Sequence, residues 1–193
     1  MMNLAVFASG NGTNAENIIT YFTNSHNAAV KVVISNKPDA YVLERARAKG
    51  VPSAVLPREE LTADLPQALL DTLHKYEIDY IILAGYLLKI PAALINRYSG
   101  KILNIHPALL PKFGGKGMYG MHVHRAVIQA QEKESGITIH VVDAVYDNGK
   151  ILFQASCPVL PSDTPEELAA KIQQLELKHF PEVIVKYITG ELK

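Results

Sequence analysis

The stretch "LAVFASGNGTNA", residues 4–15, decides how the chain is read. "LAVFAS" (4–9) is short, apolar and cut off by glycine, the pattern of a strand covered on both faces. Gly10-Asn11-Gly12 then breaks the run, and a helix is predicted from about Asn14. Strand, glycine turn and helix in that order form the opening step of a parallel α/β unit. A helix N-terminus offers unpaired N–H groups and the positive end of a dipole, and glycine lets the backbone close on an anion. The loop therefore reads as a phosphate cradle. The alternative is a tight turn that needs a positive φ.

Gly10-x-Gly12-x-x-Ala15 also satisfies the dinucleotide fingerprint. That fingerprint requires an acidic residue at the end of the second strand, for the ribose hydroxyls. Here the second strand ends in Ser35-Asn36-Lys37-Pro38, and Asp39 comes late. A phosphomonoester fits this loop better than a dinucleotide.

Outward from that unit the rhythm repeats. "VKVVIS" (30–35), a helix from about Ala40, "PSAVL" (52–56), a helix over about Leu65 to Tyr76, "DYIILA" (79–84) and "GKILNIH" (100–106) alternate as in a parallel sheet covered on both faces. After residue 134 the pattern changes. "GITIHVV" (136–142) and "KILFQASCPV" (150–159) flank "DAVYDNG" and read as an antiparallel hairpin. The segment from Ser162 to Ile188 reads as one long helix, with Thr164 as N-cap, Pro165 at the first helical position and Glu167 completing a capping box. The expected fold is α/β: a three-layer, mostly parallel, Rossmann-like sheet with a C-terminal antiparallel hairpin and a long C-terminal helix. Residues 1–193 form a single domain in this reading.

Composition narrows the function. The formal net charge is zero and the pI about 7.1, so the basic footprint of a nucleic-acid binder is missing. The lone Cys157 excludes an internal disulfide and suits a reducing compartment. No apolar run reaches the length of a membrane span. "MMNLAVFASGNG" lacks the charged start of a signal peptide. The expectation is a cytoplasmic protein that acts on small-molecule substrates, with no nucleic acid and no membrane as partner, as a monomer or homodimer.

Four further features carry candidate chemistry. Ile102, Asn104 and His106 share one face of their strand, with Asn104 and His106 roughly 6.5 Å apart at its carboxyl end, where open α/β sheets bind ligands. An amide and an imidazole there can grip an oxygen that turns negative during reaction, or form a buried polar pair satisfied by backbone. Thr138, His140 and Val142 alternate onto one face of the next strand, and Asp143 and Asp147 sit in the loop that follows. Asp147-Asn148-Gly149 also has plain turn chemistry. The loop from Pro107 to Met121 is long, and Lys112, Lys116 and four glycines suit it either to cover an anionic substrate or to serve as flexible surface. Glu176, between Ile172 and Phe180 on an apolar helix stripe, lies at the stripe's edge or reaches a polar site.

The succession "SGNGTN", "SNKPDA-x(4)-RA", "LAGY", "NIHPALLPKF", "HVVDAVYDNG" and "LE-x(3)-FP" resembles the phosphoribosylglycinamide formyltransferases over essentially the whole chain. The resemblance implies an enzyme of purine biosynthesis that takes a formyl group from 10-formyltetrahydrofolate, a co-substrate, and uses no metal. It implies Asn104, His106 and Asp147 as catalytic residues. It implies Gly12, Thr13 and Asn14 as the phosphate loop, and Glu176 and His122 on the glycinamide ribonucleotide side. It places the folate at Leu87, Leu88, Ile90, Asn104, His140, Val142 and Asp147. Three departures stand out: Leu88 replaces a frequent family Arg, a second family Arg has no counterpart near Thr62, and the "GGKGMYGMH" loop is longer than in many relatives.

Within the wider superfamily, a methionyl-tRNA formyltransferase would carry a further C-terminal domain and more positive charge. A formyltetrahydrofolate deformylase would carry an N-terminal regulatory domain. The length of this chain is expected to exclude both. From other classes, His106, His122, His124 and Asp147 are conceivable ligands of a metallohydrolase, and a nucleotide-binding module without catalysis is the remaining alternative.

Overall fold

The computed structural model describes residues 1–192. In chain order the elements are β1 (Met2–Phe7), α1 (Thr13–Phe22), β2 (Ala28–Ser35), α2 (Val42–Ala48), β3 (Ser53–Val55), α3 (Arg58–Leu61), α4 (Gln67–Lys75), β4 (Tyr80–Leu83), α5 (Ala92–Arg97), β5 (Ile102–His106), α6 (Met121–Gln129), β6 (Glu134–Val141), β7 (Ile151–Pro158) and α7 (Pro165–Ile188). All seven strands join one sheet in the order β3-β2-β1-β4-β5-β6-β7. The first five run parallel, while β6 lies antiparallel to both β5 and β7.

Strand alternation sorts the core into two layers. Leu4, Val6, Val33, Ile82, Leu103 and Ile139 face one way, toward Ile18 of α1, Val127 of α6 and Phe180 of α7. Ala5, Phe7, Ile34, Ile81, Leu83 and Ile102 face the other way, toward Leu69 and Leu73 of α4 and Leu94 of α5. Strands buried on both faces cannot alternate apolar with polar residues, which is why they read as continuous apolar runs. Phe7 is completely buried, a placement that stabilises the fold by about 1.5–3 kcal/mol.

The expected strands, the hairpin and the long helix are all present. Thr164 caps α7 as its sequence requires: its Oγ1 accepts from Glu167 N at 3.2 Å, and its own N–H donates to Glu167 Oε2 at 2.8 Å. The short helices α3 and α5 go beyond the sequence reading, as do two features nearer the cavity. The antiparallel hairpin extends the main sheet through β5, with Asn104 opposite His140 and His106 opposite Thr138. Helix α6 follows the glycine-rich loop; its buried stripe is short and its N-cap, Gly120, makes no side-chain cap, so little in the sequence announces it.

The chain leaves β1 for β2 on one side and later returns to β4 on the other. That reversal opens a crevice at the carboxyl ends of β1 and β4. Ser9 bridges it, donating its N–H to Gly85 O and accepting from Leu87 N at its Oγ, both at 3.1 Å.

Candidate active site

A cavity of about 560 Å³ lies in this crevice and continues past the end of β5. Its floor is Asn104 and His106. One end is walled by Tyr86, Leu87, Leu88, Ile90 and Val142, and the other by Asn14 with Gln173 and Glu176 of α7. One end is therefore apolar and the other polar, with the strand-end pair at the floor of the same cavity.

The polar floor is held by partners that only the folded chain assembles. Asn104 Nδ2 lies 3.1 Å from His140 Nε2, while His140 Nδ1 lies 3.1 Å from Val141 O. The Val141 carbonyl can only accept, so His140 Nδ1 carries a proton. His106 is 3% exposed. Its Nε2 donates to Phe113 O at 2.8 Å, and its Nδ1 lies 3.6 Å from Asp147 Oδ2. Asp147 also lies 3.7 Å from His140 and accepts from Gly115 N at 2.8 Å.

Electrostatics follow from these contacts. Burial pushes the Asp147 carboxyl up, but the His140 and His106 rings and the Gly115 N–H outweigh it and hold the group below its usual range. Burial is also the largest influence on His106 and lowers it below the ordinary histidine value, with Asp147 and the Phe113 carbonyl pulling the other way. Burial thus favours the neutral ring over the charged one. Asp147 alone does not keep it charged.

The loop over residues 107–120 is a wall of the cavity. Phe113 O and Gly115 N reach His106 and Asp147, and Lys116 lines the space. Lys112 does not: it pairs with Glu132 at 2.8 Å and is mostly exposed. Of the two lysines singled out as cover for an anion, only Lys116 faces the cavity.

The glycine loop is braced from α2. Val42 N donates to Gly10 O at 3.1 Å, and Arg45 Nε donates to Asn11 O at 2.8 Å while its guanidinium pairs with Glu16. Gly12 has φ 76°, and a Cβ there would stand 2.4 Å from Val42 Cγ2. The turn and the close approach both demand glycine. Gly12 and Thr13 open α1 without lining the cavity, whereas Asn14 lines it and donates from Nδ2 to Glu176 Oε2 at 2.9 Å. Glu176 is therefore in the site. Burial raises its carboxyl above the usual value, with the Asn14 hydrogen bond opposing.

Leu87, Leu88, Ile90, Asn104, His140, Val142 and Asp147 all line the cavity, as does Asp143. His122 does not. It is exposed and packs edge-on against Tyr119, 5.2 Å between ring centres. His124, one helical step further, is buried and lines the wall instead. Successive helix residues point about 100° apart, so histidines two apart cannot share a face; the helix had to be recognised before the inner one could be chosen. Among the described residues, no group of three or more His, Cys, Asp or Glu is arranged to hold a metal ion.

The family model described as "Formyl transferase" matches residues 2–184. Phosphoribosylglycinamide formyltransferase of Haemophilus influenzae is 38% identical over 196 residues, covering 100% of this chain and 90% of that protein. The chloroplastic phosphoribosylglycinamide formyltransferase of Arabidopsis thaliana is 45% identical over 185 residues, 94% of this chain. The chain spans 63% of that plant protein and 59% of its Vigna unguiculata counterpart. Crystal structures of glycinamide ribonucleotide transformylase 1 from Symbiobacterium toebii (TM-score 0.89, 35% identity, 98% of this chain and 89% of that one) and of phosphoribosylglycinamide formyltransferase from Anaplasma phagocytophilum (TM-score 0.91, 31% identity, 100% and 89%) share the fold. On its sequence match, its sheet order and its strand-end site, the chain belongs to the formyl transferase family, in the phosphoribosylglycinamide formyltransferase branch.

Proposed function

We propose that the chain transfers the formyl group of 10-formyltetrahydrofolate to the primary amine of glycinamide ribonucleotide, giving formylglycinamide ribonucleotide. The observation that carries this reading is the position of Asn104, His106 and Asp147 in one cavity, with an apolar wall at one end and the Asn14–Glu176 pair at the other. The apolar end suits the flat ring system of the donor, and the N–H groups at the start of α1 suit the phosphate of the acceptor. The relatives' names support the same chemistry.

In this mechanism the amine nitrogen bonds to the formyl carbon, and the carbonyl electron pair moves to oxygen. Asn104 donates to that oxygen from its amide, held in place by His140. Negative charge growing beside His106 opposes the effect of burial, so the ring takes a proton from solvent at Nδ1, stabilises the oxyanion as a cation, and returns the proton to solvent as the carbonyl re-forms. As a carboxylate, Asp147 stabilises the imidazolium across 3.6 Å. The carbon–N10 bond then breaks as the oxyanion re-forms the carbonyl. The proton lost by the attacking nitrogen passes to N10, with Asp147 as the relay. No step requires a metal.

A cytoplasmic setting with Cys157 as a free thiol belongs to the same reading, although the plant relatives are named as chloroplastic. Among the described residues no helix is long and apolar enough to cross a membrane. The test is formyl transfer from 10-formyltetrahydrofolate to glycinamide ribonucleotide by the purified protein, with and without chelator. Chelator-resistant product is expected; no product, or activity lost with chelator, rejects the reading.

A further inference from the structure

Among the described residues, four buried side-chain atoms have no hydrogen-bond partner: Asn14 Oδ1, Asn36 Oδ1, His124 Nδ1 and Ser135 Oγ. Two of these, Asn14 and His124, belong to the cavity wall. Asn14 already uses its other polar atom on Glu176. His124 has no role in the mechanism above, and a buried polar group left unpaired costs about 1–3 kcal/mol. A leucine would fill the position on α6 without that cost, so an imidazole here calls for a reason outside the fold.

The sealed nitrogen decides the tautomer. His124 is 6% exposed, on a helix that also buries Val123 and Val127. A proton on Nδ1 would be a buried donor with nowhere to go, a rarer and costlier condition than an unused lone pair. Burial, with a smaller contribution from nearby His106, also lowers the ring's pKa and so favours its neutral form. Its single proton therefore sits on Nε2. Since the Nδ1 edge is closed off, the edge that His124 turns to the cavity is an N–H donor. Helix α6 packs against α7, which carries Gln173 and Glu176 to the polar end of the cavity.

We propose that His124 is a substrate-contacting residue that donates from Nε2 to an oxygen of the amine-bearing ribonucleotide, not to the formyl donor. This rests on the reading given under Proposed function and adds a contact to its acceptor subsite.

The test compares His124→Leu, which removes the donor, with His124→Gln, whose amide nitrogen replaces Nε2. Binding of glycinamide ribonucleotide is measured by calorimetry, the KM for both substrates by assay, and the melting temperature without ligand. His124→Leu is expected to weaken ribonucleotide affinity about tenfold, to leave the donor KM within about twofold, and to melt at or above the wild-type temperature. His124→Gln is expected to recover most of the affinity. Unchanged ribonucleotide affinity in His124→Leu, equal losses in both variants, or a lower melting temperature in either would overturn the proposal. If the wild type binds the ribonucleotide but transfers no formyl group, the proposed reaction fails while the binding comparison still decides the role of His124.

Discussion

Nδ1 of His106 and Oδ2 of Asp147 lie 3.6 Å apart, yet they come from different parts of the fold. His106 ends β5, and Asp147 occupies a left-handed turn, φ 52°, in the connection from β6 to β7. The antiparallel pairing of β6 with β5 brings them together, and Gly115 of the intervening loop fixes the carboxylate from a third side. Aspartate tolerates that backbone conformation better than most residues, so the turn serves as the mount for the carboxylate.

Asp147→Asn keeps the shape and removes the charge. Turnover is expected to fall at least about a hundredfold, the scale of one lost electrostatic stabiliser, with both KM values nearly unchanged. Steady-state kinetics check this, and near-normal turnover would remove Asp147 from the chemistry.

Acid should weaken the fold through His106. Its pKa is depressed by burial, so its contribution to stability is fully present above the ordinary histidine value of about 6.5 and is lost as pH falls through the lower folded value. Urea unfolding between pH 8 and pH 5 is expected to show a decline that is shallower in His106→Asn, which cannot take up the proton. An identical decline in both proteins would contradict the assignment.

Glu176 has the opposite sign. Burial raises its carboxyl, so its stabilising contribution is complete below the unfolded value near 4.5 and is lost as pH rises through the raised folded value. Glu176→Gln is expected to match or exceed wild-type stability above that range while binding the ribonucleotide at least about tenfold more weakly. Melting curves at pH 5 and pH 8, paired with calorimetry, measure both effects.

Gly12→Ala tests the cradle. The positive φ and the overlap with Val42 are expected to cost about 1–3 kcal/mol of stability. The KM for the ribonucleotide should rise, while that for the formyl donor stays close to wild type. A rise confined to the donor would move the phosphate site elsewhere.

Much of this protein follows from local sequence. Continuous apolar runs such as "LAVFAS" specify strands covered on both faces, Gly10 and Gly12 mark the turn into α1, and Thr164-Pro165-x-Glu167 starts α7, because each depends on contacts only a few residues apart. Period-two alternation likewise places Asn104 with His106 on one strand face, opposite Leu103 and Ile105. Tertiary structure alone decides the rest. It pairs Lys112 with Glu132, seats Glu176 on Asn14, turns His124 inward and His122 outward, and lowers the pKa of His106 through burial. Each of these depends on which distant group a side chain meets and on how much water is excluded there, and neither is written in the spacing of residues along the chain.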